Sequence, residues 1–296
     1  MNRVLLSGAS GPIGAALLPS LEHAGAEIVR LVRGSARDAA QIPWDPMGEL
    51  ASAAVSGFEA VIHLAGESVV GRWTEAKRKA VLESRVRGTR SVARALARAD
   101  VKPRVFVCAS AIGFYGSRGD EILCEESPGG QGFLPDVCRE WEAASRIAAE
   151  AGIRTVNLRI GLVLSAHGGA LPKMLPAFRL GLGGRLGAGT QWWSWVHVDD
   201  IVGAIHHALQ TESLSGPLNL VSPNPLLNAE FTKVLAAVLG RPAFLPVPEA
   251  ALKLAFGALA AEELFLASQR VEPSKLKASG YEFRFSDLGS ALKSMV

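Results

Sequence analysis

Short apolar segments alternate with longer segments of helical periodicity through the first half of the chain. The segments predicted as strands are Val4–Ser7, Ile28–Val32, Ala60–Ala65, Arg104–Ser110 and Ile153–Arg159. The segments predicted as helices are Ile13–His23, Thr74–Ala99 with Thr74 as N-cap, and Pro135–Ala151. This alternation predicts an α/β fold, in which helices cover both faces of a parallel sheet.

The second half of the chain is more helical and begins with a glycine-rich segment. Residues 168–189 contain seven glycines and two prolines, so we expect a short helix near Leu171–Leu180 followed by a loop. The later predicted elements are helix Val198–Gln210, strand Pro217–Val221, helices Asn228–Leu239, Glu249–Phe256 and Glu262–Ser268, strand Tyr281–Phe285 and a final helix. We interpret 1–227 as one domain with a substrate-side loop at 168–195, and 228–296 as a small domain packed on it.

Composition excludes several classes of function. The chain has 296 residues, of which 49% are hydrophobic and 20% charged, as in a globular protein with a large core. A net charge of +3 with scattered arginines predicts no nucleic-acid partner. The apolar stretch Ala250–Ala261 is too short to span a membrane, and we expect no membrane association. Three unpatterned cysteines and no visible export signal predict a reduced cytoplasmic protein, either monomeric or homodimeric.

A glycine triplet with the spacing G-x-x-G-x-x-G follows the first predicted strand. Gly8 permits the tight turn into the helix, Gly11 lets the backbone approach a pyrophosphate, and Gly14 lets the helix pack closely. Phosphates are expected at the helix N-terminus, where free N–H groups favour anions. This position predicts a Rossmann-like doubly wound sheet whose phosphate cradle also includes Ser10, Pro12 and Ile13.

The end of the second strand indicates which nucleotide binds. Sites that prefer NAD place an acidic residue there to bind the ribose 2′-hydroxyl. Here Val32 is followed by Arg33, and a second arginine, Arg37, comes soon after. A guanidinium group at this place suits a 2′-phosphate, so the sequence predicts NADP(H). The alternative is an arginine that is simply solvated on the surface.

The chain resembles the extended (atypical) short-chain dehydrogenase/reductase superfamily, in particular the epimerase family proteins of the 39U type with their small C-terminal domain. The motifs that carry the resemblance are Leu64-Ala65-Gly66-Glu67, Ser84-Arg85 with Gly88-Thr89, Ser110 to Gly116, Trp141-Glu142, Gly168 to Leu171, Trp195 to Asp200, and Arg241-Pro242 in the tail. The resemblance implies that Leu64, Ala65 and Gly66 line the adenosine and pyrophosphate side. It also implies that Arg85 and Val163 approach the nicotinamide half.

The superfamily's usual Asn, Ser, Tyr and Lys set is missing. The sequence has no Y-x-x-x-K, because neither Tyr115 nor Tyr281 is followed by Lys four residues later. Aligning the motifs puts Arg85 at the Asn position, Ala111 at the Ser position with Ser110 beside it, Cys138 near the Tyr position and Glu142 near the Lys position. Tyr115 and Ser110 remain as candidate catalytic residues, with Tyr115 as the general acid.

Arg85 shares one face of the predicted helix with Val81, Gly88 and Val92. A lone arginine on such a face needs an anion or an acceptor. One alternative is an internal ion pair with Glu142. The other is a contact with a cofactor phosphate or with the nicotinamide ribose.

Further candidates come from the glycine-rich segment and the histidines. The substrate-side residues are Lys173, Gln191, Trp193 and Trp195, and the tryptophans either stack on a substrate or fill the gap between the lobes. The adjacent His206 and His207 point in different directions, and we expect no metal site. Two functions stay open: an NADP(H)-dependent oxidoreductase or epimerase on an unknown small polar, sugar-like substrate, and a catalytically inactive regulatory protein that senses NADP(H).

Overall fold

The computed structural model describes residues 2–296 and has two layers of helices around one large parallel sheet. The strands are β1 Arg3–Ser7, β2 Glu27–Val32, β3 Gln41–Pro43, β4 Ala60–His63, β5 Val105–Ala111, β6 Ile122–Leu123, β7 Arg154–Ile160, β8 Leu162–Ser165, β9 Gly168–Gly169, β10 Trp192–Trp193, β11 Trp195–His197, β12 Gly216–Leu220, β13 Leu226–Leu227 and β14 Arg270–Val271. The helices are α1 Pro12–His23, α2 Glu75–Ala97, α3 Phe133–Glu150, α4 Leu171–Arg179, α5 Val198–Gln210, α6 Asn228–Leu239, α7 Glu249–Phe256, α8 Ala258–Ala260, α9 Ser274–Ala278 and α10 Leu288–Lys293.

Seven strands form the main sheet in the order β12-β7-β5-β4-β1-β2-β3, and every neighbouring pair is parallel. The order runs outward in both directions from β1 and β4. This reversal is the switch point at which open α/β sheets bind ligands, beyond the carboxyl ends of the strands. The fold class predicted from the sequence is therefore confirmed.

The main core lies on both faces of this sheet. Val4, Leu5 and Leu6 of β1 have no exposed surface, as expected for a strand covered by helices on both sides. Helix α2 begins where the sequence predicts, because the Thr74 side chain accepts a hydrogen bond from the Lys77 backbone N–H. Helix α6 ends at Gly240, whose φ of 61° completes a left-handed C-cap.

A second, smaller core joins the glycine-rich segment to the C-terminal region. Leu171 and Phe178 of α4 pack with Phe231 of α6 and with Leu288 and Leu292 of α10. The predicted short helix in this segment is confirmed by α4. Because α4 and the C-terminal helices share one core, the C-terminal region is held against the sheet by apolar contacts. The proposed boundary at residue 227 stays a prediction.

Two predicted elements near the C-terminus are wrong. Tyr281–Phe285 is not a strand, because the backbone N–H groups of Arg284 and Phe285 donate to the buried Asp200 carboxylate at 2.7 and 3.0 Å instead of to a neighbouring strand. The helix predicted over Glu262–Ser268 is a single π-helical turn, Ala261–Phe265.

The three-residue edge strand β3 was not predicted from the sequence. Over residues 2–296, none of the helices has the length and apolar character that crossing a membrane requires.

Candidate functional site

The glycine triplet forms the turn between β1 and α1. Gly8 has a φ of 75°, and a Cβ there would lie 2.7 Å from the backbone carbon of Leu64. At Gly14, a Cβ would lie 2.2 Å from the Gly8 carbonyl oxygen. The two glycines are thus needed where the loop touches the end of β4 and where α1 begins, as the spacing predicts.

Gly11 is the residue directly before helix α1, and its lack of a side chain leaves the helix end uncapped. Its amide donates to the Gly8 carbonyl at 3.0 Å, and the nearest atom to a Cβ at Gly11 is that same oxygen, at 3.3 Å. Gly11 is the N-cap of α1 and has no side chain to cap it, so first-turn N–H groups remain free for an anion. The uncapped helix end therefore offers the backbone N–H donors that an anionic group needs.

The strand β9 covers the other side of this cradle. A Cβ at Gly168 would lie 2.5 Å from Cγ of Pro12, so the backbone of β9 passes directly over the first turn of α1. Val163 lies on the neighbouring strand β8 and is half-buried. The β8–β9 hairpin, which belongs to a separate three-stranded sheet with β11, therefore lies next to Ser10–Ile13 and brings Val163 near the cradle.

Buried polar contacts hold the end of β4 in place. Ser7 Oγ lies 2.7 Å from Nδ1 of His63, and the backbone N–H of Ala65 donates to the same hydroxyl at 3.4 Å. Burial lowers the pKa of His63 to about 4, so its ring is neutral. His63 thus packs at the strand end, while Leu64, Ala65 and Gly66 follow it along the crevice.

Several cationic side chains lie near Glu67, beside the crevice at the carboxyl ends of β1 and β4. Arg33 is exposed directly after β2, as predicted. Glu67 accepts a hydrogen bond from Lys77 Nζ at 2.6 Å. That bond, followed by the charges of Lys77, Arg33 and Arg85, lowers the pKa of Glu67 against a smaller opposing effect of burial. This cationic surrounding is suited to an anionic ligand.

Arg85 lies between α2 and α3 at the crevice. Its Nη1 donates to the carbonyl oxygens of Glu67 at 2.8 Å and of Val81 at 3.2 Å, and its guanidinium carbon lies 4.9 Å from the Trp141 ring centroid. Burial lowers the pKa of Arg85. The alternative of an ion pair between Arg85 and Glu142 is wrong, because the Glu142 carboxylate is bound by a different arginine, and the contact of Arg85 with the cofactor stays a prediction.

That arginine is Arg159, on β7. Arg159 Nε and Nη2 donate to the two carboxylate oxygens of Glu142 at 2.8 and 2.9 Å. Ser110 Oγ donates to the same carboxylate at 2.8 Å. Arg159 Nη1 also donates to the Tyr115 hydroxyl at 3.0 Å, and that hydroxyl donates to Asn219 Oδ1 at 2.7 Å. We call these five side chains the buried network.

The two candidate catalytic residues are both members of the buried network. Tyr115 has no exposed surface, and burial raises its pKa to about 12 despite the opposing charge of Arg159. Ser110 is 3% exposed and bonded to Glu142. Their positions give no support to a direct contact with substrate, and their catalytic role stays a prediction.

The tryptophans of the substrate-side segment differ in their surroundings. Trp195 is completely buried, and its Nε1 donates to the Asn224 carbonyl at 3.0 Å. Trp193 is half-buried, with its ring centroid 5.2 Å from that of Phe231. Trp195 is therefore a buried core residue, whereas Trp193 is partly exposed, and stacking of Trp193 on a substrate stays a prediction.

The other two substrate-side residues, Gln191 and Lys173, differ in how much of their surface is exposed to solvent. Gln191 is 6% exposed, and its Nε2 donates to the carbonyls of Leu186 at 3.2 Å and Phe265 at 3.0 Å. Lys173 is exposed on α4.

Throughout the described part of the chain, no group of three or more His, Cys, Asp or Glu has the arrangement of a metal site.

The carboxylate that caps the start of helix α3 was not predicted from the sequence. The Glu263 carboxylate accepts hydrogen bonds from the backbone N–H groups of Phe133 at 2.8 Å and Leu134 at 2.6 Å, at the start of α3. A separation of about 130 residues leaves no local pattern to find. For the buried network a pattern did exist, since Asn157 and Arg159 are polar residues within a strand predicted to be buried on both faces.

The reversed strand order with a glycine cradle at the switch point defines a dinucleotide-binding protein of the Rossmann class. The family model described as the NAD dependent epimerase/dehydratase family matches residues 4–220, and a second, a domain of unknown function (DUF1731), matches 247–295. The chain therefore belongs to the NAD dependent epimerase/dehydratase family, in the branch of SDR39U1-type epimerase family proteins.

Relatives of this branch match over nearly the full chain. The epimerase family protein Mb2239 of Mycobacterium bovis is 39% identical over 98% of this chain and 96% of its own length. The crystal structure of human SDR39U1 (isoform 2) with NADPH is 36% identical, covers 99% of this chain and 98% of its own, and has a TM-score of 0.91. A nucleoside-diphosphate sugar epimerase from Corynebacterium glutamicum is 38% identical, with a TM-score of 0.82, over 98% of this chain and 57% of its own.

Proposed function

We propose that this protein binds NADP(H) and acts as an oxidoreductase or epimerase on a small polar substrate. The observation that carries the nucleotide part is the glycine cradle at the switch point, with Arg33 where an NAD site has a carboxylate. The NADPH complex of human SDR39U1 supports the choice of nucleotide.

The chain's own residues divide between the two halves of the cofactor. The backbone N–H groups of Ser10 and Ile13 would hold the pyrophosphate, since Gly11 N–H is bonded to Gly8 and Pro12 has none. Arg33 next to Val32 would hold the 2′-phosphate. Leu64–Gly66 would line the adenosine side, and Arg85 with Val163 the nicotinamide side. When bound, the reduced nicotinamide supplies a hydride.

Replacing Arg33 tests the nucleotide. We expect Arg33→Gln to weaken NADPH binding by about 10–150-fold, because one charge-assisted hydrogen bond contributes about 1.5–3 kcal/mol. NADH binding should be nearly unchanged, since it has no 2′-phosphate. Calorimetric titration of both nucleotides into both proteins measures this. A wild-type protein that binds NADH as tightly as NADPH would contradict the assignment.

Replacing Arg85 tests the nicotinamide half. In Arg85→Ala we expect NADPH affinity to fall by about 10–150-fold, from the loss of a charged donor. The cofactor-free protein should keep nearly its melting temperature, because Arg85 bonds backbone carbonyls and strands no carboxylate. Melting curves with and without NADPH separate the two effects. Unchanged NADPH affinity would remove Arg85 from the site.

A second candidate function is an NADP(H)-sensing regulatory protein without catalysis. The observation that favours it is the buried network, in which the two candidate catalytic residues, Ser110 and Tyr115, are already bonded to other protein side chains. The two candidates differ in turnover. Absorbance of the reduced nicotinamide, followed while carbonyl compounds and sugars are added to protein saturated with NADPH, decides between them: oxidation above the rate in Gly14→Ala protein supports the enzyme, and tight binding without oxidation supports the sensor.

A further inference from the structure

One member of the buried network reaches the surface of the crevice. The Glu142 side chain is 13% exposed, against 4% for its partner Arg159. Ser110 and Tyr115 are 3% and 0% exposed. Asn219, the fifth member, is completely buried, so a ligand would meet this network at the Glu142 side chain before the four other members.

The carboxylate is held in one orientation and keeps an unused acceptor. Glu142 Oε1 accepts from Ser110 Oγ and from Arg159 Nε, each at 2.8 Å. Oε2 accepts from Arg159 Nη2 at 2.9 Å. Since a carboxylate oxygen has two lone pairs, Oε2 retains one for a further donor.

The place of Glu142 relative to the strands of the main sheet indicates which half of the dinucleotide would lie nearest to it. The cradle and Arg33 lie at β1 and β2, and Leu64–Gly66 follow β4, so the adenosine half would occupy that side of the switch point. The second half of a dinucleotide would lie over the strands beyond β4, namely β5 and β7. Ser110 and Arg159 are the next-to-last residues of β5 and β7. Glu142 is thus placed at the carboxyl end of the strands under the nicotinamide half.

We infer that Glu142 Oε2 accepts a hydrogen bond from a hydroxyl of the nicotinamide-side ribose, and so positions that end of the cofactor. This inference rests on the proposed binding of NADP(H). A ribose hydroxyl is a donor, whereas the phosphates are acceptors that a carboxylate repels. Because Arg159 and Ser110 already hold the carboxylate, binding orders little that was mobile.

The test compares a complete cofactor with one that lacks the nicotinamide riboside. NADPH and 2′-phosphoadenosine 5′-diphosphate are titrated into the full chain and into Glu142→Gln. We expect NADPH affinity to fall by about tenfold or more, the effect of weakening one charge-assisted hydrogen bond. Affinity for the truncated nucleotide should stay within about twofold, as expected for a ligand that does not reach Glu142.

Asn219→Ala is the matched control. It removes an amide from the same network, at a fully buried position on β12, and should leave both affinities within about twofold of wild type. Equal weakening of both nucleotides by Glu142→Gln, or unchanged NADPH affinity, would overturn the inference.

If Glu142→Gln does not fold, Glu142→Asp serves instead. It keeps the charge opposite Arg159 and withdraws the carboxylate by one methylene, so the same selective loss of NADPH affinity is expected. A wild-type protein that fails to bind NADPH contradicts the proposed function, whereas normal binding by both Glu142 variants contradicts only this inference.

Discussion

Replacing Arg159 by Ala should lower the free energy of unfolding by about 3–5 kcal/mol, because it leaves the Glu142 carboxylate without its paired cation in a buried site. The Tyr115 hydroxyl also loses a donor at 3.0 Å. Urea unfolding of the cofactor-free protein measures the loss. The double variant Arg159→Met with Glu142→Gln should recover part of it, since no uncompensated charge remains.

An exposed ion pair provides the control for Arg159. Glu212 lies 3.1 Å from Arg104, and its side chain is 80% exposed. Glu212→Gln should change the free energy of unfolding by less than about 0.5 kcal/mol, as is usual at the surface. A loss below about 1 kcal/mol in Arg159→Ala would show that the network contributes no more than an ordinary surface contact.

Gly14→Ala should both destabilise the protein and prevent tight NADPH binding. Alanine is normally better than glycine in a helix by about 1 kcal/mol, but here its methyl group would lie 2.2 Å from the Gly8 carbonyl oxygen. The loop must move, at a cost of about 1–3 kcal/mol in unfolding free energy. The displaced N–H groups should weaken NADPH by more than about tenfold. Urea unfolding and calorimetric titration measure the two effects.

Gly25→Ala is the comparison for Gly14. Gly25 has a φ of 81°, and a Cβ there would meet nothing within 4 Å. Because alanine is strained in this left-handed conformation, the free energy of unfolding of Gly25→Ala should fall by about 1–2 kcal/mol, while its NADPH affinity stays at the wild-type value. If Gly14→Ala is as stable as wild type and binds NADPH normally, the cradle does not have the close packing described above.

The elements that the sequence predicted well depend on neighbours along the chain. A cap such as Thr74 bonds to an N–H three residues away, and a stop such as Gly240 acts through its own φ. The glycine cradle is equally local, since Gly8, Gly11 and Gly14 form one turn. For the same reason the bounds of α1, α5, α6 and α7 were predicted to within one residue.

The candidate site was predicted less completely than the fold. Arg33 and the cradle could be found because their positions follow from the ends of β1 and β2. The partner of Glu142 could not, because Arg85 and Arg159 are both buried arginines near α3, and only the packing of β7 against β5 decides between them. The burial of Tyr115 likewise depends on distant residues, since it packs in one apolar cluster with Val221 and Val271.

Periodicity, caps and glycine spacing act over a few residues, so the parallel α/β sheet, the phosphate cradle and the place of Arg33 could be predicted from the sequence. The buried network of Ser110, Glu142, Arg159, Tyr115 and Asn219 could not, and neither could the bonds of residues 284 and 285 to Asp200. A buried polar group must find a partner, and in this fold those partners come from distant parts of the chain.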